Sequence, residues 1–148
     1  MILVYVGTRT HGRREGIFVY RMEASSGALE LSSTAEGVED PMFLDIDPQR
    51  RCLYAVEEGA QALDGTSGNV GAFSILPQTG ELSFLNRQPS QGLNPCHLSV
   101  DRTGGHILVA NFVGGSLGVL PILDDGRLGE ATDVVRHEGS RVGPDTQA

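Results

Sequence analysis

A segment reading PMFLDIDPQRRCLYAVEE from Pro41 returns as PCHLSVDRTGGHILVANF from Pro95, an offset of about 54 residues. Proline, leucine and aspartate recur at Pro41 and Pro95, Leu44 and Leu98, Asp47 and Asp101, and Ile46 matches Val100. A second shared design follows each copy. GIFVYRMEASSGALEL from Gly16, NVGAFSILPQTGELSF from Asn69 and SLGVLPILDDGRLGEA from Ser116 each hold a β-rich run, a short turn ending in Gly27, Gly80 or Gly126, and another run. Glycine at that point supplies the positive φ of a tight hairpin, and Asp125-Gly126 is a strong hairpin signal. One repeat therefore carries four short strands in about fifty residues, the spacing of propeller blades.

In the middle copy the four strands are FLDID, CLYAV, VGAFSIL and LSFLNRQ. No segment keeps a helical period. Apolar residues occur on both faces of the strands, as in a sheet covered on both sides. A sandwich predicts no such repeat. The expected fold is an all-β propeller, with about two and a half to three four-stranded blades written in this chain. Blade 1 covers about 1–37, blade 2 about 38–91 and blade 3 about 92–138, with 139–148 as a truncated loop. ILVYVGT at the start matches CLYAVEE, the second strand of the unit, so blade 1 lacks its innermost strand. Three blades are too few for a ring of four to eight. The expectation is the N-terminal part of a longer protein.

The net charge of −8 excludes a nucleic-acid backbone as partner. No apolar run reaches the length of a membrane span. MILVYVGTRT lacks a basic leader and a long apolar core, and reads as a strand rather than a signal peptide. Cys52 and Cys96 fall at non-matching repeat positions and read as reduced thiols of a cytoplasmic protein. There is no G-x-S-x-G elbow, phosphate-binding glycine loop or zinc spacing of Cys and His, so neither a cofactor nor a metal is expected.

The positions after the second strand of each blade are equivalent: Thr8, Glu57 and Asn111, then Arg9, Glu58 and Phe112. Polar groups converging there from several blades suit a polyhydroxylated small-molecule ligand. Thr8, Arg9, Glu58 and Asn111 are the binding candidates. His97 stands in the innermost strand of blade 3 where blade 2 has Phe43, so the fold does not demand it. An imidazole at the channel mouth suits a general base, and His97 is the first catalytic candidate. His11, Arg13 and Arg14 read as a solvated turn, and His106 as part of an outer hairpin turn. Asp47 and Asp101 end equivalent strands and read as turn caps.

VYVGTRT, GIFVYRMEASSGALE, PMFLDIDPQRRCLYAVEE, GELSFLNRQPSQGLNPCHLSVD and ILVANFVGGSLGVLPI, in that order, resemble the lactonase family of seven-bladed propellers. That family is similar to bacterial 6-phosphogluconolactonases and fungal carboxy-muconate cyclases. The resemblance extends through GEATDVVRHEGS and implies a seven-bladed ring. Arg9, Glu57 and Phe112 depart from the tyrosine, asparagine and tyrosine usual at those places. The resemblance also puts His137, as a catalytic candidate, and Arg136 and Arg141, as anion binders, at the approach to the family's active-site loop. The histidine-rich motif of that loop is absent from RVGPDTQA, so activity is expected of a longer chain and not of these residues alone.

The implied function is metal-independent hydrolysis of a sugar lactone, 6-phosphogluconolactone first, by a monomeric cytoplasmic enzyme of the pentose phosphate route. A muconate-type lactone cycloisomerase would use the same His and Arg groups without adding water. A metal lactonase would draw on Glu58 and Asn111 as oxygen ligands. A non-enzymatic binding propeller would repeat its surface motif in every blade, whereas these channel-end residues differ from blade to blade.

Overall fold

The computed structural model describes residues 1–58 and 68–139. Within them the chain forms strands and no helix. The first sheet holds β1 (Ile2–Gly7), β2 (Glu15–Met22) and β3 (Leu29–Glu36). The second holds β4 (Leu44–Ile46), β5 (Cys52–Glu57), β6 (Asn69–Ile75) and β7 (Leu82–Pro89). The third holds β8 (Pro95–Val100), β9 (His106–Asn111), β10 (Ser116–Pro121) and β11 (Asp133–Arg136). Each is an antiparallel meander in sequence order. The first sheet begins with the equivalent of β5 and β9 and has no counterpart of β4 and β8.

The repeat is visible bond by bond. Gly27, Gly80 and Gly126 have φ of 72°, 78° and 86° and close the β2–β3, β6–β7 and post-β10 hairpins. Asp47 Oδ1 accepts the N–H groups of Arg51 and Cys52, and Asp101 Oδ1 those of Gly105 and His106. Both aspartates therefore tie off the same inner turn. The Asp101 carboxyl is held well below the usual carboxylate range, first by the Thr103 hydroxyl and then by these amides. His106 opens β9 rather than lying in the turn.

Sheet faces are buried by stacking. One core joins the first two sheets through Ile17, Ala35, Val38, Leu53, Ala55 and Phe73. Another joins the last two through Tyr54, Val56, Val70, Leu98, Val109 and Leu120. Each of the larger aliphatic and phenyl side chains contributes about 1.5–3 kcal/mol by leaving water. Polar staples set the spacing. The Tyr5 hydroxyl donates to the Gly80 carbonyl (2.9 Å), and the equivalent Tyr54 hydroxyl donates to Gly126 (3.0 Å). Asn86 both donates to and accepts from the Leu128 backbone, and the Val100 N–H donates to Asp45. The outermost faces of the stack stay apolar and exposed, with Ile2, Val6, Leu29 and Leu31 on one and Leu108 and Val135 on the other.

Strand direction gathers the site candidates. The ends of β1, β5 and β9, the starts of β4 and β8, and the end of β11 all lie at one end of the stack.

Tyr54→Phe removes the donor and leaves the Gly126 carbonyl buried without it. The expected loss is about 1–3 kcal/mol. Gly126→Ala is expected to cost more, because its φ disfavours an L side chain and a Cβ would run into the Cys52 sulfur. Urea unfolding midpoints check both, and unchanged midpoints would show that this staple does not hold the sheets.

Candidate functional site

The best-defined feature of that end is the start of β8. Asn94 takes φ of 53° before Pro95, as Asp40 takes 47° before Pro41. The carbonyls of these two residues accept the N–H groups of Phe112 and Glu58, so each inner strand is anchored to the end of the next. In β8 the register slips between Pro95 and His97, which leaves Cys96 as an extra residue. This bulge turns both Cys96 and His97 out to solvent between buried Pro95 and Leu98. Bulges re-aim side chains in this way beside active sites. The imidazole of His97 packs on the Phe43 ring, with centroids 4.2 Å apart and planes tilted by 48°.

Arg9 and Glu58 meet across the first two sheets, 3.4 Å apart, with Arg9 half exposed and Glu58 a quarter exposed. Asp40 supports them from below. Its carboxylate accepts the Thr10 N–H (2.7 Å) and hydroxyl (3.1 Å), and the Thr10 amide is the main cause of its lowered pKa.

The remaining candidates are disposed differently. The Thr8 hydroxyl donates to the Gly16 carbonyl and closes the β1–β2 pairing. Asn111 is buried at 3% exposure, and its amide donates to the Ser90 carbonyl and the Ser116 hydroxyl. Arg136 ends the outer strand β11, and His137 follows it. Arg136 pairs with Ser116, and the His137 N–H is held by the Gly115 carbonyl. Three strand spacings separate them from β8, about 14 Å. Arg141 lies outside the described residues. No three His, Cys, Asp or Glu side chains converge as a metal set among the described residues.

The family model for the seven-bladed β-propeller lactonases matches residues 3–148. The chain belongs to the lactonase family. A Bacillus subtilis 6-phosphogluconolactonase is 35% identical over 91% of this chain and 37% of its own length. A Formosa agariphila 6-phosphogluconolactonase is 28% identical over 94% and 39%. The solved periplasmic gluconolactonase of Pseudomonas aeruginosa superposes with a TM-score of 0.82 at 31% identity, over 96% of this chain and 40% of that one. The chain thus spans about two fifths of the length of these relatives. Among the described residues, no helix is long and apolar enough to cross a membrane.

Two features of this candidate site are not apparent from the sequence. Phe43 was a reference for His97 and not a partner of it. Its signal was the repeat itself, since equivalent residues of stacked sheets face one another. The second is Glu57, read as a channel-end polar group. It is fully buried, and Arg87 holds it through Nε (3.1 Å) and a second nitrogen (3.2 Å). Arg87 also donates to the Gly37 carbonyl and lies 4.7 Å over the Phe84 ring. Gly71 leaves the room this carboxylate needs, since a Cβ there would come within 2.6 Å of Glu57 Oε1. The pair ties β7 to the loop that leads to Asp40.

Burial pushes the Glu57 carboxyl up, and the Arg87 bonds pull against it without cancelling it. An acid raised in this way adds most stability when protonated, and that contribution is lost as pH rises through its folded pKa. Arg87→Met is therefore expected to cost about 2–3 kcal/mol at neutral pH, less than a fully buried pair because Arg87 is partly exposed. The deficit shrinks as falling pH protonates Glu57. Unfolding free energies measured across pH check this, and a pH-independent deficit would contradict it.

Proposed function

We propose that the protein carrying this chain hydrolyses a sugar lactone, with 6-phosphogluconolactone as substrate and His97 as general base. The observation that carries this reading is the bulged start of β8, which turns a histidine to solvent on a rigid inner strand and seats it against Phe43. The names of the Bacillus and Formosa relatives support the phosphorylated substrate, and that of the Pseudomonas relative supports a gluconolactone.

In this mechanism His97 takes a proton from water as the oxygen attacks the lactone carbonyl. The tetrahedral oxyanion collapses, the ring C–O bond breaks, and the proton returns from the imidazolium to the leaving alkoxide. The products balance as one hydroxy acid from lactone and water. Arg9, freed from Glu58 or sharing it, faces the developing negative charge, and Glu58 accepts from substrate hydroxyls. Arg136 and His137 serve the outer rim, where a remote phosphate is held by charge, and Arg141 is a further cation for that phosphate. We assign the enzyme to the cytoplasm, supported by the free thiols of Cys52 and Cys96.

In the complete protein, His97→Gln is expected to lower kcat/KM for 6-phosphogluconolactone by about a hundredfold or more, and exhaustive chelation to leave the rate unchanged. Acid release above the spontaneous rate is the readout. A complete wild-type protein that shows none would overturn the lactonase reading, and full activity in the variant would remove His97 from the mechanism.

A further inference from the structure

The loop position beyond the second strand, Arg9, Glu58 or Phe112, has a different chemistry in each sheet. In the first two sheets it is charged, and the charges of Arg9 and Glu58 meet. In the third it is Phe112, which is 63% exposed. Leu93 and Val113 are 51% and 47% exposed. The Phe112 N–H bonds to the Asn94 carbonyl and the Gly114 N–H to the Leu93 carbonyl, so the two loops bearing these side chains lie side by side. Three large exposed apolar residues are thus carried on adjoining loops at the end of the stack where the site lies, next to the strand that carries His97.

Single exposed apolar residues are ordinary, but a group beside a polar mouth asks for an occupant. The turn between β1 and β2, at the same end, is polar throughout. Ligand sites combine an aromatic wall with a few placed polar groups, and the equivalent positions here supply both. A pyranose or lactone ring has the matching form. Its edge carries hydroxyls, and its C–H bonds make an apolar face.

Resting on the lactone reading above, we propose that Phe112 is the platform for the substrate's sugar ring, with Leu93 and Val113 extending it. The ring lies with its C–H face on the phenyl group, and its hydroxyl edge turns toward Glu58 and Arg9. Its carbonyl faces the seam between the second and third sheets, where His97 meets Phe43. Phe112 touches substrate away from the reacting bond. It therefore binds ground state and transition state alike and acts on KM more than on kcat.

These 148 residues hold no tryptophan, so the difference in emission between the complete protein carrying Phe112→Trp and the complete wild type reports on an indole at the platform. Titration of this variant with glucose 6-phosphate, a stable pyranose, is expected to give a saturable change in indole emission that inorganic phosphate does not reproduce. In the complete protein, Phe112→Ala is expected to raise KM for the lactone about tenfold, as loss of an aromatic stack does, with kcat much less affected, and Phe112→Tyr to restore KM. An indole silent to glucose 6-phosphate, or an unchanged KM in Phe112→Ala, would overturn the platform while leaving lactone hydrolysis standing. If the complete wild-type protein hydrolyses no lactone, that reading falls, and the indole titration decides the platform independently.

Discussion

A tyrosine hydroxyl on one sheet bonded to a glycine carbonyl on the next is the contact on which the geometry depends. Tyr5 on Gly80 and Tyr54 on Gly126 occupy the same place in successive sheets. The glycine is required twice over, for its positive φ and because the side chains of the neighbouring sheet occupy the space a Cβ would need. Stacking is also the only way such sheets bury both faces. Once the spacing is set, the starts of β4 and β8 come side by side, and Phe43 meets His97.

The candidate site is built where the repeat is allowed to vary. Positions that hold the fold stay alike, as in Asp47 and Asp101 or Pro41 and Pro95. Positions at the mouth diverge. Arg9, Glu58 and Phe112 share one location and offer a cation, an anion and an aromatic face, and His97 replaces Phe43. One backbone pattern repeated around an axis thus yields an asymmetric mouth, as an asymmetric small molecule needs.

The turns were legible because their signals are local. Gly27, Gly80 and Gly126 announce hairpins, and Asp47 and Asp101 announce caps within five residues of the amides they bind. Lactonase membership was legible for the same reason, in ordered strand motifs. Side-chain direction was not. Asn111 looked like a channel-end binder by alignment, but its amide turns inward to Ser90, a residue on another strand connection. Glu57 looked equally exposed, and its partner Arg87 lies thirty residues on. Arg136 and His137 are candidates through the family resemblance, and the radial order of strands sets them across the third sheet from His97. Phe112 is legible as the equivalent of Arg9 and Glu58 and as a departure from tyrosine, but its exposure cannot be read from residue type.

In the proposed reading, substrate binds at the end of the stack where β4 and β8 begin. A crystal structure of the complete protein bearing this chain, soaked with 6-phosphogluconate, tests it most directly. The expected result is a ligand within hydrogen-bond reach of His97, about 3 Å, and beside Glu58. A ligand bound at the opposite end, among the turns capped by Asp47 and Asp101, would contradict it.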